Sequence, residues 1–205
     1  MEHLQMKLTD FERQFVNYVA QGKPFNFEDF GDAFAESKKE IRAEIIRDLY
    51  LKGVEVSSAD TSSPVIATQA GIRLQGATVR GRINLDGLCG NTSQGLPPLH
   101  LTQCEFDDGI SACNAVIAEL NLDNALFTTQ STIAQDTPPI HLDNCKMMGS
   151  VRISGIRGVT DTVPIWISAR GARIQGSVIV SNSRFFYQAR RIRGIDDKRE
   201  FALNF

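Results

Sequence analysis

The chain has 205 residues, of which 42% are hydrophobic and 22% are charged, with a formal net charge of −2 at pH 7. This profile is typical of one globular domain with a small appendage, and it excludes collagen-like and intrinsically disordered chains. No apolar run approaches the roughly 18 residues that span a bilayer, and the N-terminus has no signal-peptide pattern, so we expect a cytoplasmic protein. The four cysteines lack metal-binding spacings, which indicates reduced thiols and predicts neither a metal nor a cofactor.

Residues 1–60 are predicted to form an N-terminal helical segment. Thr9 and Glu12 have the spacing of a capping box, and apolar residues then recur every four positions. A second box, Ser37 with Glu40, precedes another amphipathic run, and Gly53 lies where a left-handed C-cap would end that helix. The apolar positions of the two predicted helices are Phe11, Phe15 and Val19, and Ile41, Ile45 and Leu49.

From residue 72 onward, apolar residues alternate with polar ones in short runs that are typical of strands. Each run leads to a second apolar pair that begins with a small residue, such as Ala77 or Cys104. The five runs are Ile72–Leu74, Leu99–Leu101, Leu120–Leu122, Ile140–Leu142 and Ile165–Ile167.

The spacing of these runs predicts a solenoid over residues 61–185. Their last residues, Leu74, Leu101, Leu122, Leu142 and Ile167, are separated by 27, 21, 20 and 25 residues, which indicates a basic coil near 20 residues with loops added. Steps of five residues within the coil predict four corners per turn, with one apolar side chain facing inward on each side. We therefore expect those five residues to form one buried ladder.

The segments Ala115–Glu119, Leu120–Asn124 and Ala125–Phe127 resemble degenerate pentapeptide repeats. That resemblance implies a right-handed, quadrilateral, parallel β-helix. Together with the five runs and the helical N-terminal segment, it leads us to expect a mainly β fold of about five rungs with an N-terminal helical cap. The wider unit at Ile72–Gly87 and the helix at Lys39–Arg47 are similar to a bacterial group that is labelled membrane-associated oxidoreductase. Because this chain has no GxGxxG motif between a strand and a helix, we do not expect oxidoreductase activity.

The repeat alignment predicts where the candidate catalytic, metal-binding and recognition residues lie in the coil. Cys104 and Cys145 share a slot with alanines, so we expect small interior residues rather than redox or metal sites. One outward column is predicted to combine histidines with other polar side chains, either as a recognition stripe or as an ordinary solvent-facing surface. The column is Arg73, His100, Asn121, His141 and Trp166.

Charge is distributed unevenly along the chain. The net charge is −4 over residues 1–60, −5 over 61–143 and +7 over 144–205. Residues 186–205 are predicted to be a basic tail or cap, which either contacts an anionic membrane surface or packs on the last rung. The candidate anion contacts are Arg190, Arg191, Arg193, Lys198 and Arg199.

The function that best fits this architecture is a non-enzymatic bacterial interaction or sensing module that presents its surface to a protein partner. One alternative is the soluble part of a membrane-associated protein that lies at the inner face of the membrane, cut before its anchor. A gyrase-interacting DNA mimic is disfavoured because residues 61–185 hold 9 basic and 9 acidic residues, so nucleic acid is not an expected partner. A β-helix enzyme acting on polysaccharide is a further alternative, and copies of the chain could associate through the solenoid ends.

Overall fold

The computed structural model describes residues 7–34, 39–56, 64–90, 95–128, 138–158 and 167–183, and short strands dominate these segments. The strands form four sheets in which neighbouring strands run parallel. The chain visits the first, second, third and fourth sheets in that order and then returns to the first. It therefore winds as a four-sided solenoid, which confirms the predicted mainly β, parallel β-helix architecture.

Strands are numbered in chain order. The first sheet contains β1 (Phe25–Asn26), β3 (Ile72–Gln75), β6 (Leu99–Thr102), β10 (Leu120–Asn121), β14 (Val151–Arg152) and β18 (Val178–Ile179). The second contains β2 (Glu40–Arg42), β4 (Thr78–Arg80), β7 (Glu105–Phe106), β11 (Leu126–Phe127) and β15 (Arg157–Gly158). The third contains β5 (Ile83–Asn84), β8 (Ile110–Ser111), β12 (Ile140–His141) and β16 (Ile167–Ser168). The fourth contains β9 (Val116–Ile117), β13 (Lys146–Met147) and β17 (Arg173–Ile174).

The repeating unit of the solenoid is half a turn, and its corner residue has a left-handed backbone. An apolar-x-apolar run is followed by one polar residue and then by a residue with φ between 50° and 76°. Glycine and asparagine adopt this conformation at low cost, and Gln103 is the exception among the corners of the described residues. The corner residues are Gly76, Gly87, Gln103, Asn114, Asn124, Asn144, Gly155, Gly171 and Asn182.

The predicted single ladder is wrong in its later members. Leu74 pairs with Leu101, and Leu122 follows in the same column of the first sheet. The next residue in that column is Ile153, because Leu120 pairs with Val151. Leu142 instead follows a third-sheet strand, and Ile167 pairs with Ile140 in that third sheet.

The error has a physical origin in the half-turn unit. The unit that leads from the first to the second sheet has the same apolar pattern as the unit that leads from the third to the fourth. After β11, residues 129–137 precede the next run, so Ile140 continues the same turn and does not open a new one. Burial is predicted correctly even so, since Leu74, Leu101, Leu122 and Leu142 are buried and Ile167 is partly buried.

The N-terminal segment contains two α-helices, α1 (Asp10–Ala20) and α2 (Ala43–Leu51), and a 3₁₀ helix at Phe27–Phe34. The predicted capping box of α1 is confirmed, because Thr9 Oγ1 accepts the N–H of Glu12 and the Glu12 carboxylate accepts the N–H of Thr9. The second predicted helix start is wrong. Ile41 lies in β2, where it pairs with Val79, and α2 begins at Ala43 without a side-chain cap; Ser37 lies outside the described residues.

This segment covers one end of the solenoid. Strands β1 and β2 extend the first and second sheets beyond β3 and β4, and α2 packs against β5 at the same end of the third sheet. Apolar side chains of α1 and α2 join the solenoid interior in one continuous core. In the described part of the chain, neither helix has the length and apolar character needed to cross a bilayer.

An ion pair between the buried Glu12 carboxylate and the partly exposed Arg42 side chain fixes α1 to β2. Glu12 is 1% exposed and accepts hydrogen bonds from the Nε and NH2 groups of Arg42 at 2.8 and 2.7 Å. Burial alone raises the pKa of the Glu12 carboxyl group, but the bonds from Arg42 and from the Thr9 N–H outweigh it, so that pKa is lowered. The helical cap is therefore tied to the strands by a charged contact as well as by apolar packing.

A truncated chain that begins at Gly71 is expected to aggregate or self-associate. Its loss of β1, β2, α1 and α2 exposes the strand edges of β3 and β4 together with the apolar interior that they cover. Size-exclusion chromatography with light scattering measures the outcome, with the full chain as control. A monomeric truncated chain would contradict the capping role.

Candidate functional site

The predicted polar stripe is partly present on the outer face of the first sheet. Arg73 pairs with His100, and His100 pairs with Asn121, so these three residues occupy one column. The next position in that column is Arg152. We call Arg73, His100, Asn121 and Arg152 the first-sheet column.

The other two predicted members do not belong to this column. His141 lies in the third sheet between Ser111 and Ser168, because its run, Ile140–Leu142, occupies a different side of the coil from the one that the repeat alignment predicts. Trp166 lies outside the described residues. His100 and His141 are therefore not stacked two rungs apart, as the repeat alignment predicted.

The first-sheet column is half-buried and rich in hydrogen-bond donors. Arg73 NH2 donates to the Gly22 carbonyl at 2.8 Å. Arg73 Nε and His100 Nε2 are buried atoms with no hydrogen-bond partner among the described residues, although the Glu119 carboxylate lies 3.7 Å from His100 Nε2. An unsatisfied buried donor costs free energy, so these two atoms are unfavourable positions in the outer face of the sheet.

Three aspartates join successive turns at equivalent corners. Each precedes a left-handed corner residue, and its carboxylate accepts the backbone N–H at the matching position of the next turn. Asp86 binds the N–H of Cys113 at 2.7 Å, Asp123 that of Ser154 at 3.0 Å, and Asp143 that of Arg170 at 2.9 Å. Sequence reasoning missed this role, although the recurrent Leu-Asp-Gly and Leu-Asp-Asn segments are its signal. These inter-turn aspartates hold the coil in register.

Two of these aspartates also form ion pairs with arginine side chains of the next turn. Arg152 donates from Nε and NH2 to Asp123 at 2.9 and 2.8 Å. Arg170 donates from Nε to Asp143 at 3.0 Å, with NH2 at 2.8 Å from the same oxygen. Both arginines are therefore neutralised by an aspartate of the preceding turn.

Ser168, His141 and Asp143 are the residue types of a hydrolase triad, but their hydrogen bonds do not follow the order of a triad. Ser168 Oγ donates directly to Asp143 Oδ1 at 2.5 Å, while His141 Nε2 lies 3.3 Å from Asp143 Oδ2. A nucleophilic serine needs its proton to point at the histidine, with the carboxylate behind the imidazole. Here the Asp143 carboxylate lies between the two side chains and accepts the hydrogen bond of the Ser168 hydroxyl, so His141 does not activate the serine and the contacts stabilise the fold.

Asp143 is expected to make stability depend on pH in the acid range. Burial raises the pKa of its carboxyl group, but the bonds from Ser168, from the N–H and side chain of Arg170 and from His141 lower it to about 2. Because the folded-state pKa lies below the unfolded value, this stabilisation is complete above about pH 4 and is lost as the pH falls towards 2. Its size is about 2 kcal/mol.

Urea unfolding at several pH values tests this expectation. Asp143→Asn should lower the free energy of unfolding at pH 7 by about 2 kcal/mol and should have little effect near pH 2. Asp10→Asn, which alters an exposed pair with Arg13, is the matched control, with a small effect. An Asp143→Asn effect that does not change with pH would contradict the assignment.

The two interior cysteines lie where the repeat pattern predicts. Cys104 and Cys145 are at most 1% exposed, and burial raises the pKa of the Cys104 thiol to about 12 and that of Cys145 to about 11. Such thiols stay protonated and are poor nucleophiles. All four cysteines are unpaired.

The adjacent aspartates Asp107 and Asp108 contact neighbouring groups in the described part of the chain. Asp107 accepts the N–H of Gly81 at 2.6 Å, and Asp108 lies 3.8 Å from the Arg82 guanidinium. Among the residues that the structure describes, no cluster of three His, Cys, Asp or Glu side chains could hold a metal ion. The five candidate anion contacts, Arg190 to Arg199, lie outside the described residues and stay a prediction.

Comparison with protein-family models, with curated proteins and with solved structures gives no significant match. The assignment of a function therefore depends on the surface of the solenoid itself.

Proposed function

We propose that this chain is a non-enzymatic interaction or sensing module that presents the outer face of the first sheet to a protein partner. In this proposal it is a member of the bacterial pentapeptide-repeat-like group, with a right-handed coil, and it acts in the cytoplasm. The unpaired thiols fit a reducing compartment.

The observation that carries the proposal is the first-sheet column. Register places Arg73, His100 and Asn121 side by side on the sheet that, among the described residues, has the most strands, six. Two buried donor atoms in that column, on Arg73 and His100, have no hydrogen-bond partner among the described residues. The side chains of the column are also partly exposed, so a partner that supplies carbonyl or carboxylate oxygens can bind the column through its accessible atoms.

Rigidity of the face also supports the proposal. The inter-turn aspartates and the parallel ladders hold the strands of this sheet in one register. A preorganised surface loses little conformational entropy when it binds, which favours recognition by a flat, fixed array of side chains. Asn121 is itself positioned, because its Oδ1 accepts the N–H of Asp123 at 2.9 Å.

A capture experiment with face-specific variants tests the proposal. The immobilised chain is exposed to a lysate of its source organism, and bound proteins are quantified by mass spectrometry. The double variant His100→Ala/Asn121→Ala removes the centre of the column. Thr78→Ala/Glu105→Gln changes an adjacent outward pair on the second sheet and serves as control.

The proposal predicts a protein that both wild type and the second-sheet control retain and that the column variant loses. Circular dichroism and thermal melting confirm that the variants are folded. Capture of no protein by wild type, or equal retention by both variants, would contradict it.

A further inference from the structure

Charge is polarised along the axis of the solenoid. Because each turn advances the coil along its axis, the order of residues in the chain becomes position along the axis. The described residues between 64 and 128 hold 3 basic and 6 acidic side chains, whereas those between 138 and 183 hold 5 basic and 1 acidic. The basic side chains of the later turns are Lys146, Arg152, Arg157, Arg170 and Arg173.

These five basic residues fall into two groups. Arg152 and Arg170 are paired with Asp123 and Asp143 and serve the inter-turn contacts. The side chains of Lys146, Arg157 and Arg173 are exposed, and these side chains make no hydrogen bond or ion pair with another described residue. The excess positive charge is therefore carried by side chains that make no stabilising polar contact within the described part of the fold.

Two of the three unpaired cations are direct neighbours. Lys146 pairs with Arg173 in the parallel register of β13 and β17, and both side chains are on the outer face of the fourth sheet. Neighbouring strands lie about 4.8 Å apart, so the two charged stems are side by side. Like charges in directly paired positions destabilise a sheet. The pairing is thus a local cost that a bound anion would offset.

We infer that Lys146 and Arg173 form a docking site for an acidic segment of the protein partner, and this inference rests on the proposed function. Residues at positions i and i+4 of a helix have Cβ atoms roughly 5–6 Å apart, which is close to the strand spacing of about 4.8 Å that separates the two cationic residues. The fourth sheet leads directly into β14, so the site continues around one corner to Arg152 of the first-sheet column. One partner can contact both surfaces.

An acidic protein segment fits this site better than an anionic membrane. Membrane-surface segments combine basic side chains with large apolar ones that insert into the bilayer. In the described part of the chain, the exposed large apolar side chains are Leu51 and Ile66. Both precede β3 and lie in the N-terminal part, whereas Lys146 and Arg173 belong to later turns.

Fluorescence anisotropy with a defined probe tests the inference. The probe is a labelled helical peptide with glutamates at i and i+4 positions, and its glutamine counterpart is the control peptide. Arg173→Gln removes one member of the pair. Arg157→Gln removes an equally exposed cation from the second sheet, with the same change in net charge.

The full wild-type chain should bind the glutamate probe more tightly than the glutamine probe, and added salt should weaken the binding. Arg173→Gln should weaken it about fivefold, and Arg157→Gln less than about twofold. No preference for the glutamate probe, or equal losses in the two variants, would overturn the inference. Arg173-dependent binding to phosphatidylserine vesicles without probe binding would overturn it in favour of a membrane surface.

The outcomes separate this inference from the proposed function. The His100→Ala/Asn121→Ala variant, which tests the first-sheet column, should still bind the probe because it keeps both cations. If a captured partner is retained equally by wild type and Arg173→Gln, the docking site is wrong and the proposed function stands. If the probe binds as expected but no partner is captured, the proposed function fails and the acidic-segment site remains.

Discussion

Gly109→Ala is expected to lower the free energy of unfolding by about 2–5 kcal/mol, through backbone strain and overpacking together. Gly109 has φ of 92°, a conformation that is unfavourable for alanine, and a Cβ atom there would lie 2.2 Å from the Pro139 carbonyl oxygen. That oxygen accepts the N–H of Ile110 at 2.8 Å, so relief of the clash would disturb the ladder between two turns. Chemical denaturation monitored by circular dichroism measures the loss.

Gly87→Ala is the matched control for that substitution. Gly87 also has a positive φ, 70°, but a Cβ atom there would meet no other atom within 4 Å. The substitution should therefore cost only the strain of a left-handed alanine, about 1–2 kcal/mol. Equal losses at the two positions would show that the close approach to Pro139 does not matter.

The Pro139 contact is one of two equivalent hydrogen bonds between turns, and the sequence indicates part of this arrangement. In the sequence, the Pro-Pro pairs at 97–98 and 138–139 directly precede apolar runs, as is typical of loops that end before a strand. In the structure, the carbonyl groups of Pro98 and Pro139 accept the first N–H of the strand one turn earlier, from Ile72 and Ile110. The sequence shows where each proline lies before a strand. Which N–H its carbonyl group accepts depends on the strand that lies beside it in the structure.

The fold class is predictable from this sequence because the buried apolar residues recur at regular intervals along the chain. Apolar residues alternate along short runs, and each run ends at a corner residue that tolerates a positive φ, such as Gly76 or Asn124. Those features define a coil with a buried interior whatever the exact register. They do not define which side of the coil a run occupies, because the half-turn units are equivalent.

The same ambiguity limited prediction of the candidate site. Arg73, His100 and Asn121 align correctly because they are one full turn apart, at spacings of 27 and 21 residues. His141 is only half a turn beyond Asn121, but the insertion at residues 129–137 brings its spacing to 20 residues, which mimics a full turn. The contacts between Asp123 and Arg152 and the neighbouring pair of Lys146 and Arg173 also depend on register. Interactions between turns become visible only when each strand has its partner.

Leu122→Ala is expected to lower the free energy of unfolding by about 2–5 kcal/mol, as for other large-to-small substitutions in a protein core. Leu122 is fully buried in the column that contains Leu101 and Ile153, and its N–H donates to the Arg152 carbonyl of the next turn at 2.8 Å. Removal of its side chain leaves a cavity between two turns whose backbones are held at a fixed spacing by the ladder. Little collapse is therefore available to relieve the loss.

A double-mutant cycle distinguishes the observed column from the one predicted by sequence alignment. If Ile153 is the neighbour of Leu122 in the next turn, Leu122→Ala and Ile153→Ala share one cavity and their effects should depart from additivity by at least about 0.5 kcal/mol. Leu122→Ala with Ile45→Ala, a buried residue of α2 in the N-terminal cap, serves as the distant control and should be additive. Additive losses for Leu122 and Ile153, or an unchanged melting temperature for Leu122→Ala, would show that the column is not assembled as described.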